Sequence, residues 1–285
     1  MALLTTRRHS KDPEGRMPLR EHLAELRSRL IKSGLAIAAG AVVGWFLYDP
    51  LLRTLIEPLR EIARERDQLI TINFAEVASS FNLKLKLSVY LGVVVASPVW
   101  LYQLWAFVVP GLTRREKRYS MGFVAVAVPL FLAGMGLAWA VLPNAVRFLT
   151  DFTPQGATNL ISADTYLTFV TRMMFAFGIA LVIPLFLVAL NMAGLVSAHT
   201  LTKGWRVAVF LSFLFAALAS PTPDAGTMLA LAFPIVGLYM AAVGVAWLVD
   251  RRRARRAAAE GLAGLSDDEA SPVEEAGPID GPTSV

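Results

Sequence analysis

Residues Ser97–Arg118 read SPVWLYQLWAFVVPGLTRREKR. An apolar, aromatic-rich helix runs through Pro110-Gly111 into a short basic loop. In that loop Glu116 is the only acid among Arg114, Arg115, Lys117 and Arg118. A greasy helix that stops at a breaker and gives way at once to bases marks a chain leaving a hydrocarbon layer on its positive side. The rest of the sequence fits that reading. Apolar residues make up 55% of the chain. Several runs reach about 20 residues, the length at which a helix crosses about 30 Å of hydrocarbon. The predicted class is an all-α integral membrane protein.

Working outward, the same criterion predicts six transmembrane helices, at about residues 31–48, 79–109, 119–142, 165–191, 205–219 and 225–249. As a helix the second would be about 45 Å long, so it must tilt or kink near Pro98. Interior prolines recur at Pro129, Pro184 and Pro234, and together the kinks would bend the spans into a concave cup. The fifth span is about 22 Å of helix, short enough to imply a thinned bilayer or a recessed turn at Ser220-Pro221-Thr222-Pro223-Asp224. Upstream, Leu19, Leu23, Leu26 and Leu30 share one helical face and Glu21, Glu25 and Arg29 another, predicting an interfacial amphipathic helix that turns inward after Leu30. Short surface helices interrupted at Pro58 are expected over 51–78, and a packed loop over 143–164. Residues 1–17 and 251–285 are polar or charged with scattered Pro and Gly, and are expected to be disordered tails.

Basic residues gather in the N-terminal segment, the 110–118 loop, Lys203 with Arg206, and Arg251–Arg256. The intervening loops are acidic or nearly uncharged. The positive-inside rule then places both termini, and with them Glu25 and Glu116, on the cytoplasmic side. The net charge of +5 reflects these membrane exits rather than a nucleic-acid surface. No apolar segment ahead of Leu30 suggests a cleaved secretory signal. The chain has no cysteine, and its histidines (His9, His22, His199) are far apart. No serine–histidine pair lies in a span, and there is no HExxH sequence, so no catalytic residue, cofactor or metal is expected. Arg172 is the one charge well inside a span, read as snorkelling or as paired with Asp164 or Asp151.

Two carboxylates stand beside the expected cytoplasmic mouth of the cup. Glu25 can simply pair with Arg29, four residues on, and Glu116 can balance its basic neighbours. Equally, two such groups can grip guanidinium ions through bidentate, charge-assisted hydrogen bonds. The residues alone leave both readings open. They also leave open a secondary transporter of a small solute, or a membrane assembly factor without a peptide site.

The segments PLREHLAELRSRL (Pro18–Leu30), Ser97–Arg118, YLTF through FAFGIALVIP (Tyr166–Pro184) and SPTPD (Ser220–Asp224) resemble, in order, the TatC family, the multispanning receptor subunit of the twin-arginine protein translocase. The resemblance covers about residues 18–250. It implies a cytoplasmic-membrane receptor and scaffold for folded cargo proteins bearing twin-arginine signal peptides. It further implies TatA- and TatB-type single-span partners, self-association in the receptor complex, the proton-motive force as energy source, and no nucleotide or nucleic acid. Transferred position by position, the resemblance implies signal-peptide contacts at Glu25 and Glu116, supported by Arg27, Arg114 and Arg115. It assigns the shape of the cup and the partner surface to Pro58, Pro98, Phe107 and Asp224. The chain departs from the family at Val182, Met228 and Met240, where polar side chains are common.

Overall fold

No proline or turn residue separates Leu30 from Ile31, and the chain does not turn there. Leu19–Phe46 is one helix of 28 residues, α1, so the expected interfacial helix and first span are continuous. The computed structural model describes residues 19–65, 70–73, 78–108, 116–151, 159–219 and 225–259. Both expected tails lie outside these residues except for 251–259.

Helix α2, Tyr48–Glu65, carries Pro58 inside it. It buries the apolar face expected from Leu52, Leu55, Leu59 and Ile62, and the last three are at most 2% exposed. The expected interruption at Pro58 is absent, because the buried ring sits within a helix packed from the side. The Tyr166 hydroxyl donates to the Leu55 carbonyl across that interface at 3.0 Å. Two short strands follow from loops that local periodicity does not mark. Strand β1, Ile70–Asn73, pairs in parallel with β2, Asn159–Ser162, in the register Ile70↔Asn159 to Asn73↔Ser162.

The expected long second span is two helices, α3 Ser79–Val95 and α4 Ser97–Val108, meeting at 60°. Pro98 lies in the first turn of α4, where a missing N–H costs nothing. The carbonyl of Val93, beside the bend, accepts the indole N–H of Trp100 at 2.9 Å. Helix α5, Glu116–Asp151, passes through both Pro129 and Pro143. The expected 143–164 loop is therefore helical as far as Asp151. Helix α6 spans Ala163–Met192. Gly194, at φ +81°, makes the left-handed turn that leads to α7, Ala198–Lys203. Helix α8 is Trp205–Ala219 and α9 is Ala225–Ala259. Expected disorder from Arg251 is thus replaced by two more turns of helix. Asp250 accepts from the Ala198 N–H (2.7 Å) and the Asn191 amide (3.0 Å), and Arg253 donates to the carbonyls of Asn191 (3.1 Å) and Met192.

Among the described residues, four helices are long and apolar enough to cross a membrane by themselves, and the bent α3–α4 pair makes a fifth if it is one broken span. The 15-residue α8, expected as one of six spans, falls short of that length.

Helix contact is set by glycine. Gly40 and Gly44 of α1 form a Gly-x-x-x-Gly pair, Gly40 against Gly92 and Gly44 against Ser88 of α3. A Cβ at Gly44 would lie 2.5 Å from the Ser88 carbonyl oxygen, and one at Gly92 would lie 2.6 Å from the Ile37 carbonyl oxygen. Small residues on facing helices let backbones touch, which is how helices associate where no hydrophobic effect drives them together. Gly134 of α5 and Gly178 of α6 repeat the arrangement, with the Gly134 position 2.5 Å from the Phe177 carbonyl oxygen. The α1–α3–α4 unit and the α5–α6 unit meet around Tyr90, Trp105, Phe123 and Phe131.

Candidate functional site

The first turns of α1 place Glu25 and Arg29 on one side, against α4. Arg29 donates through Nε to Glu25 Oε1 at 3.0 Å, and a second guanidinium nitrogen reaches the same oxygen. Its remaining arm reaches Gln103 Oε1 at 3.4 Å. Both side chains are mostly shielded, at 20% exposed for Arg29 and 24% for Glu25. Oxygen Oε2 of Glu25 is buried and has no hydrogen-bond partner among the described residues. A carboxylate can accept about four hydrogen bonds; this one spends its contacts on one oxygen and leaves the other bare. A buried anionic oxygen without a donor is costly, and a guanidinium fork is the group whose shape best relieves it.

Immediately inside this pair lies a groove of about 320 Å³ between α1, α4 and the middle of α6. Leu30, Ile37, Trp100, Leu104, Phe175 and Ile179 are among its walls, with Arg29 and Gln103 at the polar end. Phe107, also in the wall, stacks on His22 with ring centroids 4.5 Å apart. The groove lies beside the 60° bend between α3 and α4, and Trp100 and Phe107 of α4 line it.

The expected site residues fall out unevenly. Glu25 is held by Arg29, which lines the polar end of the groove. Arg27 is exposed and has no ion-pair partner among the described residues; the neighbour that engages Glu25 is Arg29, as the i,i+4 spacing allows. Glu116 opens α5, and its side chain lies outside the described residues, as do Arg114, Arg115 and Asp224. Farther along α5, Phe123 stacks on Trp105 of α4 at 4.8 Å. Glu116 therefore begins α5 at the end of the bundle where Gln103 and Glu25 lie. Pro58 is buried in α2, and Pro98 is exposed at the bend. Val182 is 3% exposed within the aromatic cluster, Met240 is 41% exposed, and Met228 packs on the main core. Sequence reasoning missed Gln103 and His22, which carry no periodic or motif signal and matter only because α4 lies against α1.

Comparison with known proteins settles the family. The model of the Sec-independent protein translocase protein (TatC) matches residues 21–234. A TatC of Xylanimonas cellulosilytica is 54% identical over 85% of this chain and 88% of its own length. The chain belongs to the TatC family. Another TatC-family relative, from Koribacter versatilis, is 36% identical over 87% of this chain and 92% of its own length. Two crystal structures described as the twin arginine translocase receptor TatC match with TM-scores of 0.63 and 0.65, at 32% and 31% identity. They cover 81% and 79% of this chain and nearly all of their own. As a TatC-family member the chain is a membrane component of a protein translocase, and the groove beside Glu25 lies within the matched region.

Proposed function

We propose that this chain, the receptor subunit of a twin-arginine translocase, binds the paired arginines of a signal peptide at Glu25 and Glu116 and seats the apolar segment of that peptide in the groove between α1, α4 and α6. The observation that carries this reading is the buried Oε2 of Glu25, without a hydrogen-bond partner among the described residues, on a carboxylate held by Arg29 at the polar end of an apolar groove. In the empty protein Arg29 stands in for a peptide guanidinium on Oε1. An incoming arginine takes Oε2 or displaces Arg29, and the basic residues among 114–118, together with Arg27, discourage cationic peptides that cannot make the bidentate contact. The groove is too narrow for a folded protein, so cargo remains outside while only its leader is read.

In this reading six spans cross the cytoplasmic membrane of a bacterium with both termini inside, α8 being the short fifth. TatA- and TatB-type single-span subunits dock on the outer faces of α8 and α9, where Phe210, Leu214 and Phe233 are exposed, and on Asp224, which lies between them in the sequence. Copies of the chain associate in the receptor complex. Transport draws on the proton-motive force, and the protein acts by binding and not by covalent catalysis.

The test is peptide binding to the full chain in detergent, comparing an Arg-Arg leader with its Lys-Lys counterpart. Lysine keeps the charge but loses the fork, so Lys-Lys should bind about tenfold more weakly, the worth of one charge-assisted hydrogen bond. In Glu25→Gln the two peptides should bind nearly alike. Equal binding of both peptides to the unaltered chain would refute the site.

A further inference from the structure

At the opposite end of the bundle, α3, α6 and the end of α8 enclose a second cleft, of about 610 Å³. Lys86, Asp164, Thr165, Thr168 and Arg172 line its polar side. Lys86 donates to Asp164 at 2.6 Å, so these two charges cancel and the expected pairing of Asp164 with Arg172 does not form. Arg172 is exposed and has no hydrogen-bond or ion-pair partner among the described residues. The hydroxyls of Thr165 and Thr168 also make no hydrogen bond there, whereas Thr171 returns its own to the Leu167 carbonyl at 2.7 Å. Among the described residues the cleft thus offers a guanidinium and two hydroxyls without partners, the unused N–H groups of Lys86 and a net charge of one positive unit.

We propose that this cleft binds the headgroup phosphate of an acidic phospholipid. A phosphodiester carries one negative charge and accepts from a guanidinium fork and hydroxyls together. Depth agrees. Arg172 comes nine residues after the start of α6, about 14 Å along the helix. If the 30-residue α6 is centred on about 30 Å of hydrocarbon, Arg172 lies about 6 Å inside the boundary, where a long cationic side chain snorkels to the phosphate plane. Leu218 and Ala219 at the end of α8 line the same cleft, so the short helix stops at the depth of Arg172 and lets the headgroup settle there. Phe169, Met173 and Leu218 form apolar walls suited to the first carbons of an acyl chain, which free phosphate would leave unused.

The experiment is native mass spectrometry of the full chain in detergent, titrated with phosphatidylglycerol, phosphatidylcholine and inorganic phosphate. The unaltered chain should retain one phosphatidylglycerol more tightly than phosphatidylcholine. Arg172→Gln should weaken that binding about tenfold, the scale of one charged hydrogen bond. Arg172→Lys should lose less, and Arg206→Gln should lose nothing. Thr168→Val, which leaves every charge in place, should cost about threefold and covers the case in which Arg172→Gln does not fold. Equal retention by the unaltered chain and by Arg172→Gln and Thr168→Val would overturn the assignment, leaving the carboxylate of a partner helix as the better occupant. Displacement of the lipid by millimolar inorganic phosphate, or equal affinity for phosphatidylcholine, would also overturn it.

Discussion

Exchanging Glu25 and Glu116 together for lysine is expected to weaken binding of an Arg-Arg signal peptide by at least about a hundredfold, because two charged contacts worth about 1.5–3 kcal/mol each are lost. Like-charge repulsion adds to the loss, since Arg29 already stands within hydrogen-bond reach of Glu25 and Glu116 is flanked in the sequence by Arg114, Arg115, Lys117 and Arg118. Fold and stability should change little. Glu25 lies in the first turns of α1, and its one partner among the described residues is four residues away on its own helix, an interaction worth about a few tenths of a kcal/mol. Fluorescence anisotropy with a labelled leader, alongside helical content and thermal unfolding in the same detergent, separates the two effects. An unchanged Kd in a folded double variant would exclude both carboxylates as the arginine receptor.

The largest loss of stability is expected from Gly92→Leu. A Cβ at Gly92 would already stand 2.6 Å from the Ala41 nitrogen and the Ile37 carbonyl oxygen, and those are backbone atoms that cannot rotate aside. Overpacking in a core costs about 1–3 kcal/mol when side chains can adjust. Here α1 must leave α3, so a loss at the top of that range, about 3 kcal/mol or more, is expected. It would be seen as a lower unfolding temperature and lower accumulation in the membrane. Peptide binding should fall with it, because α1 carries Glu25 while α3 leads through the bend into α4 and Gln103. Gly34→Ala in the same helix as Glu25 is the matched control, since nothing lies within 4 Å of its Cβ position. Equal stability of Gly92→Leu and Gly34→Ala would show that the glycine contact does not hold α1 in place.

Hydropathy and proline carry most of the architecture. The long apolar runs correspond to α1, α3–α4, α5, α6 and α9, and the sharp bend lies beside Pro98 because α4 begins there. Proline misleads where packing from neighbouring helices outweighs its cost: Pro58 and Pro143 look like interruptions in the sequence and lie inside α2 and α5. The β1–β2 pair is illegible because its partners, such as Ile70 and Asn159, are far apart in the chain, and so short a strand leaves almost no periodic trace. The Gly40–Gly44 spacing is present in the sequence, but its partner Gly92 becomes visible only once α1 lies against α3. At the site, Glu25 is legible from its place on a polar helical face beside basic residues, and the Glu25–Arg29 pair from spacing alone. The roles of Gln103 and His22 depend on α4 lying against α1, and the lack of an Arg172 partner among the described residues depends on Lys86 having claimed Asp164. Neither follows from local sequence.

The most direct measurement is site-specific photocrosslinking of a bound Arg-Arg leader. Photoreactive residues are placed at Leu30, Ile37 or Leu104 in the groove, and at Leu214 on the outer face of α8. The account predicts adducts with the apolar segment of the leader from the three groove positions. Those adducts should be lost with a Lys-Lys leader and in the Glu25→Lys, Glu116→Lys double variant, with little reaction from Leu214. Adducts from Leu214 that match or exceed those from the groove, or groove adducts indifferent to both changes, would contradict it.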